Sequence, residues 1–304
     1  MEMSKHAYLI LAHNNFYILE KLIKLLDDER NDIFIHIDKK INDFDESHFQ
    51  KMITKSSLVF VNPRIDVKWG HINFVKAEFL LFLKAYEYGL YSYFHLISGV
   101  DLPIKTQDYI HTFFAKNKGK EFLGISTDNI KDVEYKVTKI HISTSFYKLQ
   151  RLWLRKILFF LDKSFALVQS IVGYNVVKLD KNFSLSKGPN WVSVSNDFVG
   201  YLLTKELECM TIYKHSVCPD EIFIQTVLHN SHFKDKLYDV VDEYKGCMRL
   251  IDWKRGNPYI FNKNDFNEIM SSDRLFARKF DEKDLKIVDM IFEKLSEIKN
   301  KQRV

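Results

Sequence analysis

The chain of 304 residues is 46% hydrophobic and 28% charged, which suits one large core or two small ones in an ordinary globular protein. Its 25 Phe and 15 Tyr against 10 Gly and 5 Pro exclude a disordered chain and a loop-rich all-β fold. The formal charge of +5 is carried by lysines spread among acids, which fits a phosphate-bearing ligand or an anionic surface and excludes nucleic acid as a partner.

Lys5 and His6 lead straight into a short apolar run, Ala7 to Ala12, rather than into a signal peptide. That run reads as a strand buried on both faces of a parallel sheet. Phe16, Leu19, Leu22, Ile23 and Leu26 then predict a helix over 15–27. Strands are predicted over 32–38, 57–61 and 93–97, with a long helix over 73–88 before the last of them. This β-α-β-α order is that of an open, doubly wound α/β fold, in which ligands bind beyond the carboxyl ends of the strands. The polar residues at those ends are His13, Asn14, Asp38, Ser98, Gly99 and Asp101.

The middle, 126–185, is less regular. It holds a basic, strongly apolar stretch from Arg151 to Gly173, either a core helix or lid with a charged start or a surface helix resting on an anionic membrane. Helices are predicted near 196–207, near 219–229 and, in a charged stretch, over 273–300. No repeat or linker divides the chain, so it reads as a single domain over 1–304 with an inserted middle section. No uncharged apolar run reaches about 18 residues, so no transmembrane helix is expected. Cys209, Cys218 and Cys247 lack both CxxC spacing and an even count, which points away from disulfides or zinc and toward a reducing cytosol.

Neither GxxxxGK[ST] nor a GxGxxG after the first strand is present, which weakens kinase, ATPase and dehydrogenase readings. The single Asp-x-Asp, Asp43-Phe44-Asp45, lies too early and reads as a solvated loop. Ser98-Gly99-Val100-Asp101, at the place where metal-dependent nucleotide-sugar transferases carry their acid pair, offers one carboxylate, a poor Mg²⁺ or Mn²⁺ site. Without a metal, fixed cations must offset the charge on a departing diphosphate. Candidates are Lys254, Arg255, Arg274, Arg278 and Lys279, the last two hemmed in by Phe276 and Phe280. A general base is also needed. Asp220 and Glu221 beside Pro219 offer two acids, although a proline followed by acids is also a routine helix start.

Several segments taken together resemble one family: AYLILAHNN (7–15), IFIHIDKK (33–40), VKWGHINFVKAEFLLFLKAY (67–86), YFHLISGVDLPIKT (93–106), KGPNWVSVSNDFVGYLL (187–203), SVCPDEIFIQTVLHNS (216–231), LIDW (250–253) and RLFARKFD (274–281). In this order they are similar to the core-2/I-branching β-1,6-N-acetylglucosaminyltransferases, glycosyltransferase family 14, which also includes peptide xylosyltransferases. The resemblance implies a GT-A-type, Rossmann-like fold that works without a metal or other cofactor. It implies a nucleotide-binding half over 1–125, a variable insert over 126–185, and an acceptor and catalytic half over 186–304. By the same resemblance Glu221 is the catalytic base, and Lys279 contacts the donor diphosphate with Arg255 and Arg278 as candidate helpers. The uridine and donor side takes His13, Asp38, Trp69, Gly70, Ser98, Gly99 and Asp101, and the acceptor side Trp253 and Trp191, the latter equally a packing residue. His36 and His95, inside strands, read as core histidines.

Animal members carry an N-terminal anchor, a stem and paired cysteines that this sequence lacks, so it is similar to a bacterial relative in the cytoplasm, peripheral on the membrane's inner face if 151–173 rests there. The expected reaction is in-line, inverting transfer of N-acetylglucosamine from a UDP-sugar to a carbohydrate or glycolipid hydroxyl in surface polysaccharide synthesis. Xylosyl or other UDP-sugar transfer, and non-catalytic binding of glycans or nucleotide sugars, are the alternatives.

Overall fold

The computed structural model describes residues 5–127, 130–142 and 151–301. Its strands are β1 (His6–Ala12), β2 (Asn31–Ile37), β3 (Ser57–Phe60), β4 (Tyr93–Ser98), β5 (Leu102–Pro103), β6 (Ser193–Ser195), β7 (Arg249–Ile251) and β8 (Phe276–Arg278). The first helices are α1 (Phe16–Leu26), α2 (Glu46–Gln50), α3 (Ile72–Tyr88), α4 (Gln107–Lys116), α5 (Ile130–Thr138) and α6 (Leu152–Ile171). Then follow α7 (Asn196–Thr204), α8 (Glu206–Ile212), α9 (Phe223–His229), α10 (Glu243–Gly246), α11 (Phe266–Ser271) and α12 (Leu285–Lys301).

The main sheet has the order β3-β2-β1-β4-β6, parallel except for β6. A smaller sheet, β5-β8-β7, pairs β5 antiparallel and β7 parallel to β8. Every residue of β1, β2 and β4 is buried, because helices cover both faces of the sheet. Strand alternation divides the core in two. Ala7, Leu9 and Leu11 join a cluster with α3, α7 and α9, while Tyr8, Ile10 and Ala12 join another with α1, α4 and α12.

Local chemistry sets the helix starts. His71 accepts from the Asn73 N–H at 3.2 Å to open α3, Thr106 from the Tyr109 N–H at 3.4 Å to open α4, and Ser195 from the Phe198 N–H at 3.3 Å to open α7. Asp45 does the same for α2, so the Asp43–Asp45 segment is a loop, as expected, whose last residue is also a helix cap.

The α/β class and the mostly parallel, helix-flanked sheet agree with the sequence reading, but three elements differ. The helix expected near 196–207 is two helices that break at Lys205. The one near 219–229 is a single 3₁₀ turn, Pro219–Glu221, followed by α9. The stretch 273–300 is not one helix: β8 occupies its start, and α12 begins only at Leu285. Pairing of Phe276 and Ala277 with Pro103 and Leu102 holds that start extended, a partner too remote in sequence to be read locally.

Candidate active site

The turn after β4 closes against β1. The Gly99 N–H donates to the Leu11 carbonyl at 2.9 Å, and a Cβ on Gly99 would stand 3.0 Å from that of Ala12. The turn also folds the Asp101 carboxylate back to accept from the Ser98 N–H at 2.9 Å and the Ser98 hydroxyl at 2.8 Å. Arg278, at the end of β8, donates from Nη1 to Asp101 at 2.8 Å and to Ser98 Oγ at 2.9 Å. Its guanidinium lies 4.4 Å over the Trp191 ring. The aromatic partner of Arg278 is therefore Trp191, not Phe276 or Phe280, whose rings are buried. Phe276 instead faces Arg249 at 4.5 Å. Lys279 is half-buried, and its carbonyl accepts from the Phe261 N–H at 3.0 Å.

The acid side is a tightly held turn. Cys218 takes a left-handed φ of 51°, and its N–H donates to the Gly70 carbonyl at 3.0 Å. The Glu221 carbonyl accepts from the Gly188 N–H at 2.9 Å. A Cβ on Gly188 would stand 2.0 Å from the Gly124 carbonyl oxygen, so only glycine lets the chain pass there. The Glu221 side chain is 35% exposed and lies 3.6 Å from Lys187 Nζ. Asp220 is buried beside it, and burial together with the Glu221 charge pushes its carboxyl up to about 7.

Behind Asp220 stands Glu78 of α3, fully buried. Burial and the Asp220 charge push its carboxyl well above the usual carboxylate range. Asn190 comes near enough to ease that shift, but neither Glu78 oxygen meets a partner at hydrogen-bond distance among the described residues. The arrangement is one solvated carboxylate backed by two carboxyls that favour the protonated form. That division suits a site where a single acid accepts a proton.

Acid and cation are joined by one stretch of chain. Lys187 and Gly188 touch Glu221, and Trp191, three residues on, lies under Arg278. Five residues span at most roughly 17 Å. The fold thus brings Glu221, Arg278, Trp191, Ser98, Gly99 and Asp101, which the sequence reading placed in separate roles, into one neighbourhood, with Lys279 next to Arg278 in the chain. Gly70 joins it through Cys218, with exposed Trp69 alongside.

His13 and Asp38 end the adjacent strands β1 and β2, where the Asp38 N–H donates to the Ala12 carbonyl at 3.0 Å. Asp38 is buried and pairs with Lys40 at 3.3 Å. Trp253 is exposed on the loop after β7. Arg255, on the same loop, is held by Asp252, by Asp265 at 2.8 Å and by Glu268 at 2.8 Å. Three carboxylates around one guanidinium leave a net negative charge, so the expected diphosphate contact by Arg255 is at odds with this geometry. His36 accepts from the Ile65 N–H at 2.9 Å, and His95 meets Ser193 Oγ at 2.8 Å and His6 at 3.0 Å, as core histidines should.

Two residues escaped the sequence reading. Glu78 had a legible signal, an acid on the apolar face formed by Val75, Phe79 and Phe82. Arg249 had none. It is fully buried and donates to the Cys247 and Val192 carbonyls at 2.5 and 2.9 Å and to Ser193 Oγ at 3.1 Å, which its flanking residues do not foretell. Hollows of about 230 and 350 Å³ open at the amino ends of β1 and β2, around Gln107 and Lys299, away from this neighbourhood. Ligands of such sheets bind at the other end. No cluster of three or more His, Cys, Asp or Glu fit to hold a metal ion occurs among the described residues.

The chain is similar to xylosyltransferase 2 from dog, 23% identical over 300 residues, covering 90% of this chain and 32% of that protein. Human xylosyltransferase 2 is likewise 23% identical over 296 residues, with 90% and 32% covered. Xylosyltransferase oxt from Drosophila melanogaster is 23% identical over 294 residues, with 86% and 30% covered. The chain spans about a third of the length of these relatives. Among solved structures, mouse xyloside xylosyltransferase 1 in its apo form matches 90% of this chain and 97% of that one at 10% identity and a TM-score of 0.37, too low to bear on the fold. A family model described as Core-2/I-Branching enzyme matches residues 6–284, and the chain belongs to the Core-2/I-Branching enzyme family.

Proposed function

We propose that the chain is an inverting glycosyltransferase that moves a sugar from a UDP-sugar to a glycan hydroxyl without a metal ion. The observation that carries this reading is the joining of an exposed Glu221 carboxylate to the Arg278–Lys279 cations through the stretch Lys187–Trp191. Glu221 takes the acceptor's hydroxyl proton as that oxygen bonds to the anomeric carbon. The bond from that carbon to the diphosphate breaks, and UDP leaves with its electron pair. Lys279 and Arg278 offset the charge that develops on it. Among the described residues only Nη1 of Arg278 is engaged by Asp101 and Ser98, so its other donors remain for a phosphate. His13 and Asp38 line the uridine side, and Trp253 the acceptor side.

N-acetylglucosamine is the donor sugar in this reading, with a carbohydrate or glycolipid acceptor in bacterial surface polysaccharide synthesis. Similarity to xylosyltransferases favours xylose as the second choice.

Donor turnover tests it. Glu221→Gln is expected to lower transfer about 10²–10⁴-fold, the usual weight of a positioned proton acceptor. Transfer is expected to persist in EDTA; complete loss there, restored by Mn²⁺, refutes the metal-free mechanism. Thermal shifts with UDP-N-acetylglucosamine and UDP-xylose separate the two donors, since the true one stabilises the native state more.

A further inference from the structure

Helix α6 is built inside out. Its three buried positions among the described residues are polar or small, Asp162, Ala166 and Gln169 at helical spacing, with Leu158 only partly buried on the same side. Asp162 accepts from the Ile142 N–H at 2.6 Å and meets His141 Nδ1 at 3.0 Å. Gln169 exchanges hydrogen bonds with the Ile140 N–H at 2.9 Å and the Ile140 carbonyl at 3.1 Å. The opposite side is apolar and faces outward through Trp153, Ile157, Phe160, Leu167 and Ile171, of which Trp153, Phe160 and Ile171 are 60%, 69% and 75% exposed. A helix that buried its apolar face in a core would show the reverse pattern.

Charge identifies what covers that side. Lys156 and Lys163 are exposed beside the apolar stripe, Arg151 and Arg155 are exposed at the amino end of α6 on the side of Asp162, and the one acid of the helix, Asp162, is turned inward. Lys163 lies 4.6 Å over the Phe159 ring, a lysine stem laid along apolar surface. A second copy of the chain would bring an equally basic face against this one. We propose that α6 docks flat on an anionic lipid surface, its apolar stripe at the acyl boundary and its cations among the headgroups.

The position of α6 gives the docking a purpose. The segment that holds α6 also packs on the loop that carries Glu221: His141 donates its N–H to the His215 carbonyl at 3.1 Å, and the Val217 N–H donates to the Lys136 carbonyl at 3.2 Å. A docked α6 therefore sets the base close to the bilayer, where a lipid-borne acceptor presents its hydroxyl. This part rests on the proposed transfer; the docking itself does not.

Flotation of the full chain with vesicles tests the docking. Vesicles of phosphatidylglycerol and phosphatidylcholine in equal parts are expected to carry the protein, with binding at least about tenfold weaker to phosphatidylcholine alone and in about 0.5 M salt. The variant Phe160→Ser/Leu167→Ser/Ile171→Ser is expected to lose at least about tenfold in vesicle binding, with an unchanged melting temperature, since the three side chains face outward. Brominated lipid is expected to quench tryptophan fluorescence more in the parent chain than in Trp153→Phe, since Trp153 lies on the docked side. Absence of flotation, equal flotation of the triple variant, or a dimer that this variant dissolves without any vesicle binding would overturn the proposal. Donor hydrolysis by the free protein, measured alongside, reads the transfer chemistry separately, so that either idea can fail alone.

Discussion

Arg278 and Asp101 share one hydrogen-bonded pair, and the carboxylate is the more buried partner. Arg278→Ala strands that charge, so we expect a stability loss of about 3 kcal/mol by chemical denaturation, partly restored in Arg278→Ala/Asp101→Asn. At Asp220 the effect has the opposite direction. Its carboxyl, near 3.8 in an unfolded chain, is held at about 7 in the fold, so the native state binds the extra proton between those values. The stability this confers is full below about pH 4 and is lost as the pH rises through 7. Asp220→Asn escapes the loss, and its melting temperature is expected to exceed the parent's by roughly 3–8 °C at pH 8 and to match it at pH 4. At this scale the sequence was half legible. Glu221 came from the resemblance, because a Pro-Asp-Glu turn alone looks like any helix start. Glu78, Arg249 and the pairing of Arg278 with Trp191 depend on chain segments brought together only by folding.

Elements were legible where burial is two-sided. β1, β2 and β4 announce themselves as unbroken apolar runs because helices cover both faces, and their predicted bounds lie within a residue of the observed ones. β8 was not legible, since a three-residue strand is fixed by its partners rather than by its own residues. The turn that carries Glu221 depends on close packing of glycines from distant segments. Gly188→Ala forces a methyl against the Gly124 carbonyl, a backbone atom with no rotamer to escape into. We expect it to cost about 1–3 kcal/mol and to reduce donor turnover at least about tenfold, read by thermal melting and by UDP release.

For the molecule as a whole, buried titratable groups oppose one another. Burial drives the His6 and His95 rings well below their ordinary range and His36 and His111 to about 4. These rings fold neutral, so their contribution is full above about pH 6.5 and is lost as the pH falls toward 4. Burial raises the carboxyls of Glu78, Glu121 and Asp220, whose contribution is lost as the pH rises. Below about 6.5 these histidines, together with His71, which burial also lowers, outweigh the carboxyls, and above it the Asp220 carboxyl, held at about 7, still acts. Melting temperature is therefore expected to peak at about pH 6–6.5 and to decline on both sides; a monotonic profile from pH 5 to 8 would contradict this balance.

The segment Lys187–Trp191 has a further meaning for the whole. Because it is anchored on Glu221 at one end and on Arg278 at the other, it acts as a ruler whose graduations are peptide units. Adding one residue between Gly188 and Trp191 would slide Glu221 and Arg278 apart by up to about 3.5 Å, more than a hydrogen bond tolerates. If the proposed transfer holds, sugars of different bulk are accommodated in the walls around that ruler, never by changing its length.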